Sequence, residues 1–211
     1  MIVTRTYQPK DATEIERLVG EHPFGLVVSS GAGLPMATPL PLLLEQSDDG
    51  GACLVGHFAK VNPQVDLLRA SPRALVAFMG VNGYVSPSWM TDRTQAPTWN
   101  YETVHFEVDV QFDSRPLATR HALERLVAHV EGARPNAWRI EDMGPRYERL
   151  AGAVIAFRAK IIATHAKFKL GQNERPDVYE EILNGLESNG GHDLAAAMRR
   201  AARSGSQTPM Q

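Results

Sequence analysis

Between Val104 and Phe112 every second residue is apolar: Val104, Phe106, Val108, Val110 and Phe112 alternate with His105, Glu107, Asp109 and Gln111. A period of two puts the apolar side chains on one face of an extended chain and the polar ones on the other, which defines a β-strand with one buried and one wet face. Such a strand belongs to an antiparallel sheet, because strands of parallel sheets are covered on both faces and read as continuous apolar runs. Its apolar face requires other elements to cover it. A chain of 211 residues, 43% hydrophobic and 22% charged, has the material for that core.

The other segments fit around this strand. Ile15, Leu18, Val19 and His22 recur at helical spacing over 11–21, with Asp11 and Glu14 placed as a capping box. β-Prone runs at 24–30 and 36–45 form a hairpin across Gly31-Ala32-Gly33, and Pro39 and Pro41 predict a bulge near the start of its second strand. After a turn at 47–51 come a strand at 52–58 and a short helix opened by Asn62-Pro63 and ended before Pro72. Two short strands, 75–79 and 84–85, are separated by Gly80 and Gly83. Pro116 opens a helix to Glu131 with Leu123, Leu126, Val127 and Val130 on one stripe, and a helical piece covers 145–150. In the last strand, 153–164, Ile155, Phe157 and Ile161 alternate with Arg158 and Lys160. Tyr179, Ile182, Leu183 and Leu186 mark a helix that breaks at 188–191, a weaker helix spans 193–203, and 204–211 is expected to be disordered.

Runs of strands interrupted by helices, without repeats or a long linker, predict an α+β fold built on an antiparallel barrel or sandwich of about six strands. A net charge of −2 gives no general attraction to nucleic-acid phosphates or anionic lipid. Cys53 is the only cysteine, which excludes an intrachain disulfide and a cysteine-rich metal site and fits a reducing cytoplasm. No apolar run approaches the ~20 residues of a membrane span. The start, Met1 to Arg5, lacks the apolar stretch of a secretion signal, so a cytoplasmic location is expected.

Polar, aromatic and turn residues concentrate in four segments: G-H-F-A-K-V-N-P-Q at 56–64, Y-V-S-P-S-W at 84–89, P-T-W-N-Y at 97–101 and K-F-K-L-G-Q-N at 167–173. Lys60 precedes a helix opened by Asn62-Pro63, and Ser86 and Ser88 add hydroxyls, a set that suits an anion and equally a capped helix and a turn. Trp89 and Trp99 fall in stretches read as irregular, where an indole can meet a planar ring, line an interface or cover a satellite core. His57 can serve as an iron ligand, a hydrogen-bond donor to a cofactor or a half-buried histidine satisfied by backbone. His121 and His129 lie two helical turns apart, too far for a shared ligand site. No Walker sequence, G-x-G-x-x-G, metalloprotease spacing or nucleophile elbow is present.

In this order and spacing the four segments resemble the PaiB family, whose members are labelled FMN-binding negative transcriptional regulators, over about residues 1–187. The resemblance implies a split β-barrel domain over 1–187, flanked by helices, with 188–211 as a C-terminal helix and tail. It also implies FMN as cofactor and a homodimer holding the flavin in the groove between subunits. His57, Lys60, Asn62, Ser86, Ser88, Trp89, Trp99, Asn100 and Lys169 then become the candidate cofactor-binding residues. The implied role is that of a negative transcriptional regulator or a flavin-dependent oxidoreductase acting on a small molecule. Piperazate synthases, haem enzymes that form an N–N bond, are similar to PaiB proteins, and that likeness implies haem as the alternative cofactor with His57 as iron ligand. Direct DNA binding is not expected, since no helix-turn-helix pattern is present and the one local basic cluster is Arg199, Arg200 and Arg203. Two positions depart from the family pattern: Pro39 follows Thr38 where relatives commonly carry histidine, and Gly171 stands where they carry serine.

Overall fold

The computed structural model describes residues 4–31, 33–47 and 50–205, so Ala32, Asp48 and Asp49 of the expected turns and residues 206–211 of the expected tail lie outside the described residues. The chain divides into two compact units. One, here called the barrel unit, comprises Val19–Phe78 and His105–Thr164; the other, the helical unit, comprises Met1–Leu18, Met79–Val104 and His165–Gln211.

In the barrel unit β1 (Phe24–Ser29) pairs antiparallel with β2 (Met36–Pro41), from Phe24 against Pro41 to Ser29 against Met36. The run read as one strand over 36–45 breaks at Leu42, whose N–H donates to the Pro23 carbonyl at 2.8 Å. The chain resumes as β3 (Leu43–Gln46), which pairs with β4 (Ala52–Ala59) and not with β1. With β5 (Arg73–Val85), β6 (Thr98–Asp113) and β7 (Val154–Lys169), the antiparallel order is β2-β1-β5-β6-β7-β4-β3. β2 and β3, one residue apart in sequence, thus stand at opposite ends of this order, which is possible only if the sheet curls. Gly56 of β4 marks the approach: a Cβ there would lie 2.5 Å from the Leu42 side chain and 3.2 Å from the Pro41 carbonyl oxygen. Pro39 and Pro41 sit on the outermost strand, where a missing N–H is tolerated.

The interior of this unit is aromatic. Phe58 packs on Phe157 with ring centroids 5.2 Å apart, and Phe78 meets Phe106 edge to face at 5.9 Å. α2 (Gln64–Ala70) follows β4, and α3 (Pro116–Glu131) covers the face of β4 and β7 that carries Cys53, Val55 and Ala156. Of the expected stripe on α3, Leu123, Leu126 and Val127 are half-buried and Val130 is 47% exposed; the fully buried positions are Thr119 and Ala122, small side chains that let the helix backbone approach the sheet. α4 (Arg146–Ala151) leads into β7.

The helical unit holds α1 (Ala12–Glu21) as far as Leu18, the distal parts of β5 and β7, the proximal part of β6, α5 (Pro176–Ser188) and α6 (His192–Gly205). Asp11 caps α1 by accepting from the Thr13 N–H at 2.9 Å, while Glu14 reaches back to the Lys10 N–H and not to that of Asp11, so the expected box is displaced by one residue. β5 runs unbroken through Gly80 and Gly83, read above as the gap between two strands. Both glycines give up their side chains to neighbours, Gly80 to Glu102 and Leu18, Gly83 to Leu194. β6 starts at Thr98, so Trp99 and Asn100 lie in a strand and not in an irregular segment, and β7 continues to Lys169, five residues beyond its expected end. α5 buries Val178, Ile182, Leu183 and Leu186, and Gly190, at φ +80°, breaks the helix before α6. α6 extends to Gly205, so the first two residues of the expected tail are helical. Among the described residues no helix is long and apolar enough to cross a membrane.

Candidate functional site

Three of the nine candidate residues lie in the barrel unit, at the end of β4. His57 pairs in register with Ala156 and points to the face opposite Phe58. Burial holds its imidazole below the ordinary histidine value, and its Nδ1 is buried without a hydrogen-bond partner. The ring is thus held neutral with one buried nitrogen unmatched. Lys60 leaves the strand with its N–H on the Ala153 carbonyl at 2.9 Å and its Nζ donating to the Gly152 carbonyl at 2.7 Å. That ammonium lines a cavity of about 320 Å³ shared with Ser114, Arg120, Tyr147 and the first turn of α3. A cation, a hydroxyl and the positive end of a sixteen-residue helix are the donor set that a phosphate monoester requires.

Asn62 has a different occupation. Its Oδ1 accepts from the Gln64 N–H at 2.9 Å and its Nδ2 donates to Thr38 Oγ at 3.0 Å. Thr38 in turn donates to Gln64 Oε1 at 2.5 Å, and Gln64 Nε2 donates to the Val27 carbonyl, Ser29 Oγ and the Met36 carbonyl. Gln64 is fully buried, so this network ties α2 to β1 and β2.

The other six candidates lie in the helical unit. Ser86 Oγ accepts from the Ser88 N–H and shares a 2.6 Å hydrogen bond with Ser88 Oγ, capping the single 3₁₀ turn Pro87–Trp89. The Trp89 indole lies against Gly185 of α5, where a Cβ would overlap the ring, so this tryptophan covers a satellite core. Trp99 is 56% exposed and meets Tyr84 edge to face at 6.1 Å, which leaves a planar apolar surface open. Asn100 is buried and its Nδ2 donates to the Met198 sulfur at 3.6 Å. Lys169 Nζ donates to Thr98 Oγ and, at 3.2 Å, to the Trp99 carbonyl. Gly171 has φ +79°, a conformation that serine adopts only with strain, which accounts for the glycine at that position.

The structure thus places His57 in β4 and Lys60 just beyond its end, and leaves Trp99 with Tyr84 as an open aromatic surface. It gives Asn62, Trp89, Asn100 and Lys169 contacts within their own unit. Sequence reasoning missed Ser114, Arg120 and Tyr147. The available signal was Ser114 two residues ahead of Pro116, where a helix start was already expected.

Residues 1–163 match the family described as "Putative FMN-binding domain". The chain is 32% identical over 190 residues to protease synthase and sporulation protein PAI 2 of Bacillus subtilis, covering 89% of this chain and 90% of that protein. An uncharacterized protein of Aspergillus fumigatus is 25% identical over 226 residues, 83% of this chain and 87% of its own. Among solved structures, the flavocytochrome Anf3 of Azotobacter vinelandii superposes with a TM-score of 0.64 at 15% identity, over 84% of this chain and 78% of that one. The FAD and heme binding protein of Mycobacterium smegmatis gives 0.61 at 18% identity, over 84% and 79%. At these identities the two structures attest the fold.

Proposed function

This chain belongs to the FMN-binding domain family that its sequence matches from residue 1 to 163, and on that premise we propose that it binds FMN in the cytoplasm as a homodimer and works as a flavin-dependent redox protein. The observation that carries the reading is Lys60, whose ammonium stands in the cavity beside Ser114 and the first turn of α3. When bound, FMN supplies hydride and single-electron chemistry. The residues of the chain bind and orient: Lys60 and Ser114 take the phosphate, and the His57 ring, kept neutral by burial, presents an unmatched nitrogen. Exposed apolar side chains favour a symmetric partner, among them Phe24 at 66% on β1 and Trp99 at 56% on β6. Direct regulation through DNA has less support. Arg199 closes on Glu187 at 2.5 Å, and the net charge of −2 offers a phosphate backbone no long-range attraction.

Fluorescence titration tests the flavin assignment. FMN should bind, and Lys60→Ala should weaken it by about 1 to 3 kcal/mol, the range for a lost charge-assisted hydrogen bond. Unchanged affinity would place the phosphate elsewhere. Sedimentation at micromolar concentration tests the dimer, and a monomer would remove it.

His57 favours one second reading, haem with this imidazole as iron ligand, because neutral imidazole with a free nitrogen is a suitable axial donor. Under the flavin reading His57→Ala should cost no more than about 1 to 2 kcal/mol of FMN affinity. Under the haem reading the wild type takes up haem, the substitution abolishes its absorbance band, and neither form binds FMN.

A further inference from the structure

The largest cavity described, about 600 Å³, lies wholly within the helical unit, and none of the nine candidate flavin residues lines it. Four cations, Lys10, Arg17, Arg200 and Arg203, stand in its wall against two carboxylates, Glu14 and Glu102. Phe168 and Leu170 supply apolar surface. The volume suits a small organic molecule, and guanidinium and ammonium groups in the wall suit an acid.

Glu102 gives the cavity its specificity. Its side chain is 2% exposed, its Oε1 accepts from Arg17 Nη2 at 2.6 Å, and its Oε2 is buried without a hydrogen-bond partner. Water-excluded carboxylate oxygens are normally matched, because desolvation without a partner is costly. Gly80 makes room for this carboxylate, since a Cβ there would stand 3.2 Å from Oε2. Glu102 lines this cavity beside Lys10, Arg17, Arg200 and Arg203, and one of its carboxylate oxygens is unmatched.

We propose that this cavity is a second ligand site, separate from the flavin's, for a small organic anion that also carries an N–H or O–H donor. The acid group is held by Lys10, Arg200 and Arg203, the donor by Glu102 Oε2, and the body by Phe168 and Leu170. Carboxylates and phosphate monoesters share this chemistry.

The test is calorimetric titration of the full chain, with and without FMN, using 4-hydroxybenzoate, benzoate, guanosine monophosphate and inorganic phosphate. 4-Hydroxybenzoate should bind about tenfold tighter than benzoate, or guanosine monophosphate about tenfold tighter than phosphate, and the pair that responds identifies the acid group. Arg200→Ala with Arg203→Ala, on the surface of α6, should weaken that probe about tenfold or more while FMN affinity stays within about twofold. Glu102→Gln, which keeps the side-chain volume, should erase the preference for the donor-bearing probe. The proposal is overturned if no probe binds, if the donor makes no difference, or if the double variant binds as the wild type does. Loss of FMN together with the probe would make the cavity the flavin's own and also overturn it. Failure of FMN to bind at all, with probe binding intact, would sink the flavin reading and leave this one standing.

Discussion

Gln64 in the barrel unit and Glu102 in the helical unit are both polar and both sealed from water, yet their surroundings treat them in opposite ways. Every polar atom of the Gln64 side chain is matched by β1, β2 or Thr38. Glu102 is matched on one oxygen only. The contrast separates two uses of a buried polar group. A group fully satisfied by its own chain fixes local structure, and removing it strands its partners. A group left half satisfied carries an energetic debt that a ligand can settle.

The largest effect is expected at Gln64. Gln64→Leu leaves the Val27 and Met36 carbonyls, Ser29 and Thr38 short of partners, and should destabilise the protein by about 3 kcal/mol or more in urea unfolding. A loss below about 1 kcal/mol would mean that the network is no clamp. Lys60→Ala comes next and moves a different observable: about 2 kcal/mol of FMN affinity, with unfolding midpoint unchanged, because Lys60 holds one exposed carbonyl. Coincident loss of stability would assign that lysine to structure. Glu102→Gln should change stability by less, about 1 kcal/mol, since the isosteric amide removes a desolvated charge and its oxygen can still accept from the partly exposed Arg17. A penalty matching that of Gln64→Leu would abolish the contrast.

The smallest effect concerns His57. Burial places its folded pKa below the unfolded value of 6.5, so the unfolded chain binds more protons as the pH falls below 6.5. The stability tied to the neutral ring is therefore complete above pH 6.5 and is lost as the pH falls through the folded value. His57→Gln should flatten that part of the stability profile, and an unaltered acid limb would assign it to other groups.

Much of this fold was legible because it rests on periodicity. The alternation from Val104 to Phe112 lies in β6, and Pro116 and Glu131 bound α3 as the sequence predicts. One failure has a plain cause: glycine marks a turn only when nothing else needs its lack of a side chain. Gly80 and Gly83 continue β5 because Glu102 and Leu194 fill the vacated space, a fact that depends on residues far away in sequence. The break at Leu42 was hidden because both sides of it are extended, and only the partner strand changes. At the candidate site, the residue types pointed to Lys60 and Lys169 equally. Their difference is tertiary: Lys60 bonds the Gly152 carbonyl and lines a cavity, whereas Lys169 bonds two neighbouring strand atoms.

The single residue between β2 and β3 has a kinetic meaning. Sealing a barrel ordinarily requires its two terminal strands to find each other across the whole intervening chain, and the entropy of that search grows with its length. Here the terminal strands are tethered at Leu42, so their encounter is settled before the sheet is complete. A circular permutant opened at Leu42 would keep every strand and every side chain but would have to close its seam as a long-range event, and it should fold more slowly than the parent.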